Sequence, residues 1–149
     1  ELCLYVSAVN AGDAGMPSKI WVERVRLLKE PPPAPFDCRI EKGADGKWRF
    51  RSEAGSDIGV RVQHLISKQI SEPTGTGPVF GLAASLEVLQ QTQVKVGNPP
   101  FNVLLDANGR YVSEPLDYPA GTRVDYVGIL WNAQGSMVRH SAVRSVVLE

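Results

Sequence analysis

The chain has 149 residues, enough for one domain to bury a core without a metal or disulfide framework. Its 16 Lys plus Arg balance 16 Asp plus Glu, so no net field draws nucleic acid or an anionic membrane to it. A hydrophobic fraction of 43% excludes a disordered chain, and no apolar run approaches the roughly 18 residues that span a bilayer.

Period-two alternation is the dominant signal. Leu2, Leu4, Val6 and Ala8 share one face, and Ile20 and Val22 follow as a return strand after a turn, which predicts a hairpin over residues 1–30. An isolated hairpin is marginal in water. This one is therefore expected either to end a preceding sandwich or to dock on the body of the chain, a second copy or a neighbouring domain. Residues 31–35, Pro31-Pro-Pro-Ala-Pro35, cannot continue a ladder, because proline lacks the amide donor, and they read as a stiff linker. Residues 36–149 are left as the main domain.

Within that domain residues 36–40 read as a strand, Ala44-Asp-Gly46 as a tight turn and residues 47–51 as the returning strand. Trp48 and Phe50 share its inward face. Lys47, Arg49 and Arg51 share the other with Arg39 and Lys42 nearby, a solvated outer face whose charges hinder edge-to-edge association. Residues 58–66 continue in extended style, and the Gly- and Pro-rich residues 71–78 form a loop. Residues 79–96 carry two patterns. Leu82, Leu86 and Leu89 follow helical spacing, whereas the β-branched Thr92, Val94 and Val96 predict extended chain over 84–96 and leave helix open over 79–91. A strand over 102–105, a tight turn at Asp106-Ala-Asn-Gly109 and a returning strand over 110–113 come next, then strands over 124–130 and 138–148 around a turn at 132–136. Roughly nine to eleven short strands without a firm helix predict an all-β antiparallel sandwich.

Two runs carry a family resemblance. Leu2-Cys-Leu-Tyr-Val-Ser-Ala-Val-Asn-Ala-Gly-Asp-Ala-Gly-Met-Pro-Ser18 resembles the F strand, turn and start of G in fibronectin type III modules, and Ala120-Gly-Thr-Arg-Val-Asp-Tyr-Val-Gly-Ile-Leu-Trp-Asn132 resembles the same strand with its preceding Gly-Thr. Leu2 and Val124 stand where that family usually places its corner tyrosine. Leu105-Asp-Ala-Asn-Gly-Arg-Tyr111 with Pro119-Ala-Gly-Thr122 is similar to prealbumin-like repeats of bacterial surface proteins. Both resemblances imply an immunoglobulin-like sandwich and an extracellular, cell-surface or virion setting.

The residues that carry chemistry are few. His64 and His140 lie in no metal or catalytic spacing, no Gly-x-Ser-x-Gly elbow is present, and Asp106, Asn108 and Glu114 lack the remaining ligands of a calcium loop. Gly75-Thr-Gly77 lacks the lysine of a phosphate-binding loop. No cofactor, metal site or catalysis is expected. Cys3 and Cys38 are the only cysteines, and two readings stand, a disulfide or two unpaired thiols. Trp131 beside the 132–136 turn is the best candidate ligand platform, with Asn132, Gln134 and Asp125 as polar contacts. The expected function is a non-catalytic interaction or spacer module of a larger secreted, cell-surface or virion protein with a protein or glycan partner. The alternative is a carbohydrate-binding module or lectin.

Overall fold

The structure is a computed structural model that describes residues 35–149. The expected N-terminal hairpin, Cys3, Trp21 and the linker up to residue 34 lie outside the described residues.

The described chain begins with a hairpin of β1 (Asp37–Lys42) and β2 (Trp48–Glu53), in which Cys38 opposes Ser52 and Ile40 opposes Phe50. Its turn is closed by the Gly43 N–H donating to the Lys47 carbonyl at 2.8 Å, and Gly46 supplies the left-handed φ of +77° that a tight turn needs. After β3 (Arg61–Ser67) come a short helix α1 (Leu86–Thr92), β4 (Asn102–Leu104), β5 (Arg110–Val112), β6 (Thr122–Trp131), β7 (Met137–His140) and β8 (Arg144–Leu148).

All strand pairings among the described residues are antiparallel. A small sheet has the order β1-β2-β5. A larger sheet has the order β4-β3-β6, and β7 and β8 both pair with the far edge of β6. The chain is thus mostly β with antiparallel sheets.

Alternation decides what lies between the sheets. Phe36, Cys38, Ile40 and Phe50 from the small sheet meet Val62, Ile66, Val124, Tyr126 and Leu130 from the large one, all buried. The Tyr126 phenol also bonds the Ile40 backbone, linking the layers. The opposite face of the large sheet carries Leu65, Val127 and Ile129, covered by Leu82 and by Val88 of α1. β6 is therefore buried on both faces. That is why the run Tyr126-Val-Gly-Ile-Leu130 is apolar almost throughout instead of alternating with polar residues.

Three expectations are corrected. The first is the extended chain over 84–96, where α1 stands instead. Ser85 caps the helix, its Oγ accepting from the Val88 N–H at 3.2 Å, and Glu87 sits in the first turn where the helix dipole favours negative charge. The β-branched Val94 and Val96 fall beyond its end. The helix buries Val88 and Gln91 and leaves Leu86 and Leu89 exposed, so the leucine spacing does not mark the inward face.

Gln91 explains the docking. Beyond His64 the edge of β3 has no strand partner on the β4 side among the described residues, and there the Ile66 N–H donates to Gln91 Oε1 at 2.8 Å; from the paired part of the strand Gln63 Nε2 donates to the Gln91 carbonyl at 3.0 Å. Gln91→Leu keeps the side-chain bulk and removes the acceptor, leaving a buried N–H unpaired. Urea denaturation is expected to show a loss of about 1–3 kcal/mol. A variant within about 0.3 kcal/mol of wild type would show that this contact does not hold the helix on the sheet.

The second correction concerns the Asp106–Gly109 turn. It does not return the chain beside β4. Instead β4 pairs with β3 and β5 pairs with β2, so the turn carries the chain from one sheet to the other. Gly109, at φ +70°, then accepts from the Ala54 N–H at 2.8 Å.

The third is the final strand, expected as one piece over 138–148 and broken into β7 and β8. Ser141–Val143 place one residue more than the facing Gly128 and Val127 can oppose, a bulge. Ser141 fills the gap: its N–H donates to the Gly128 carbonyl at 2.8 Å and its Oγ accepts from the Gly128 N–H at 3.0 Å.

Candidate functional site

Of the three expected polar partners of Trp131, Asp125 is separated from it. Asp125 lies six residues back along β6, about 20 Å at strand rise, and is wholly buried. Its Oδ2 accepts from the Ser71 N–H at 3.1 Å, and its Oδ1 has no partner among the described residues. Asp125 is therefore an internal anchor for the segment around Ser71, not part of a site with Trp131. Asn132 Oδ1 accepts from the Gln134 and Ser136 N–H groups at 3.0 and 2.9 Å, which closes the β6–β7 turn and commits that oxygen to the backbone. Gln134 is exposed at the tip.

Trp131 is half-buried and packs against the cluster of Leu65, Val127 and Ile129, on the face of the large sheet turned away from the small one. The Arg61 guanidinium lies over its ring, 4.9 Å from the centroid. Its indole N–H is buried without an acceptor among the described residues. Strand register adds two neighbours that sequence alone did not. Arg61 opposes both Leu104 and Trp131, and Trp131 opposes Met137, so Leu104, Arg61, Trp131 and Met137 form one row across β4, β3, β6 and β7. At an interstrand spacing near 4.8 Å the row spans about 14 Å. Leu104 is 62% exposed and Met137 47% exposed, and Ile58, three residues before Arg61, is 86% exposed.

A second constellation lies between the two sheets. Cys38, Ser52 and His64 are all wholly buried. His64 Nδ1 faces the Pro100 carbonyl, which only accepts, so Nδ1 carries the proton and Nε2 accepts from the Ser52 hydroxyl at 2.8 Å. The Cys38 thiol in turn bonds Ser52. The imidazole is stacked on Phe50, 4.4 Å between centroids and 11° between planes, and on Tyr111 at 5.5 Å. Burial pushes the His64 pKa down to about 4, partly countered by the Pro100 bond, and pushes the Cys38 thiol up to about 12. A serine hydroxyl donating to an imidazole is the first half of a nucleophile–base pair. Here the third position is a neutral carbonyl, not a carboxylate that would stabilise an imidazolium. The pair satisfies polar groups within a closed core. The sequence hides it because Ser52 and His64 sit on strands of different sheets.

The arginines on the basic outer face of the small sheet are ion-paired. Arg49 meets Asp45 at 2.7 Å, Arg51 meets Glu53 at 3.3 Å and Glu41 at 3.9 Å, and Arg39 bonds Asp37. Hydrogen bonds from Arg49 and the Lys47 backbone hold the Asp45 carboxyl well below the usual carboxylate range. Asp106 uses Oδ1 to accept from the Asn108 and Arg110 N–H groups at 2.9 and 2.8 Å, as a turn residue does. Among the described residues no three His, Cys, Asp or Glu side chains converge as metal ligands. Cys38 is a buried free thiol, and Cys3, its partner in the disulfide reading, lies outside the described residues. No described helix is long and apolar enough to cross a membrane.

No protein-family model, curated protein or solved structure matches the chain.

Proposed function

We propose that the described domain is a fibronectin type III-like module that works by presenting a surface or by spacing its neighbours in a larger secreted, cell-surface or virion protein, without catalysis. The observation that carries this reading is the allocation of strands. In chain order the small sheet takes the first, second and fifth strands, and the large sheet takes the fourth, third and sixth with β7 and β8 beyond. Immunoglobulin-like sandwiches divide their strands in the same sense, A, B and E facing C, F and G. β6 then falls at the F position and residues 132–136 at the F–G turn, where the resemblance of residues 120–132 also puts them. The burial of the Ser52–His64 pair supports the non-catalytic part.

The test is chemical. The native full chain, treated with a fluorophosphonate probe that phosphonylates activated serines with loss of fluoride, is expected to leave Ser52 unlabelled by mass spectrometry. Stoichiometric labelling of Ser52 in the folded protein would overturn the reading, because it would require an open and activated nucleophile.

A further inference from the structure

We propose that the row Leu104, Arg61, Trp131 and Met137 is a docking surface for a segment of another protein that presents apolar side chains around one carboxylate. The inference rests on the module reading above and names its partner chemistry.

Two observations commit the occupant. Each of the other described arginines is ion-paired to an aspartate or glutamate, while Arg61 has no carboxylate partner among the described residues. Its guanidinium lies over the Trp131 ring, 4.9 Å from the centroid. Stacking of this kind holds the fork of N–H donors in place, and a carboxylate is the group that fork matches with two parallel bonds. On either side, Leu104 and Met137 leave about half or more of their surface in water, as Ile58 does nearby. Apolar side chains grouped around a cation that has no carboxylate partner among the described residues are costly to leave bare and mark a contact surface. The row's length of about 14 Å matches about four residues of extended chain. A neutral sugar fits less well, since Arg61 already covers a face of the indole and a sugar offers it no counter-charge.

The experiment maps amide resonances of the isotope-labelled full chain during titration with three probes: acetyl-Leu-Glu-Leu-Leu-amide, its Leu-Lys-Leu-Leu counterpart and cellohexaose. The acidic peptide is expected to move the resonances of Ile58, Arg61, Leu104, Trp131 and Met137, and to bind about tenfold more tightly than the lysine peptide. Arg61→Gln should remove that preference while the dispersed spectrum of a folded chain is kept, and Leu104→Ala, at an exposed position, should weaken both peptides. Equal binding of the two peptides, shifts confined to other surfaces, cellohexaose as the better ligand at these residues, or no shift by any probe up to about 5 mM would each overturn the proposal. These outcomes are separate from serine labelling, which bears on the module reading alone.

Discussion

Phe50→Ala is expected to destabilise the chain by about 3–5 kcal/mol, the range for removing a large aromatic from a closed core. The ring is wholly buried at the middle of β2. It stacks face to face on His64 and meets Tyr126 edge-on at 6.2 Å, so one side chain contacts two strands of the opposing sheet. Alanine would leave a cavity between the layers and strip packing from an imidazole whose hydrogen bonds depend on its orientation. Denaturant unfolding of both proteins checks it. A loss under about 1 kcal/mol would mean that the two sheets do not close over Phe50.

Acid is expected to weaken the fold through His64. The folded side chain is neutral and takes up a proton only near pH 4, whereas an unfolded histidine takes one up near 6.5. Between those values the unfolded chain binds the proton that the folded chain excludes. Stability from this group is therefore full above about pH 6.5 and falls as pH drops towards 4, by roughly 3 kcal/mol in total. Carboxylates also titrate near the lower end, so the comparison is with His64→Gln, which keeps an amide donor and acceptor but has no proton to gain. Urea midpoints between about pH 7 and pH 4.5 are expected to fall more steeply for wild type than for the variant. Parallel curves would contradict the burial of a neutral imidazole.

Local pattern made some of this architecture legible. The alternation of residues 47–51 and the glycine turn before them define β1–β2, and the apolar run before Asn132 defines β6 and its turn. Helix α1 is legible only in part. The spacing of Leu82, Leu86 and Leu89 leaves helix open over 79–91, but Leu86 and Leu89 face water and one of the two buried residues is Gln91, whose task is to bond a strand edge, so the apolar spacing does not mark the docked face. The break after His140 was hidden because Ser141 replaces a ladder bond with its own hydroxyl, which hydropathy does not register. The turn at 106–109 has the right residues for a hairpin, and only the pairing of β5 with β2 reveals that it joins two sheets.

The candidate site divides the same way. Trp131, Asn132 and Gln134 are near neighbours in sequence and stay together in the fold. Asp125 reads as a polar residue available to a ligand, yet its partner is the Ser71 N–H, supplied by a distant segment. Arg61 and Leu104 join Trp131 only through strand register, which alternation alone does not specify between non-adjacent strands. Ser52 and His64 meet across two sheets, where facing residues follow from how the layers stack.

The stacking of those layers is tested most directly at Gly128. A side-chain carbon there would lie 2.6 Å from Cys38 Cβ, 2.9 Å from its sulfur and 3.0 Å from Phe36 Cζ, so only a glycine lets β6 approach β1 this closely. Nuclear Overhauser spectra of the folded chain should contain cross-peaks from the Gly128 α-protons to the Cys38 β-protons and to the Phe36 ring. Their presence is the predicted result. Assigned spectra in which Gly128 shows contacts to neither residue would contradict the packing of the two sheets on each other, and with it the closed core around Ser52 and His64.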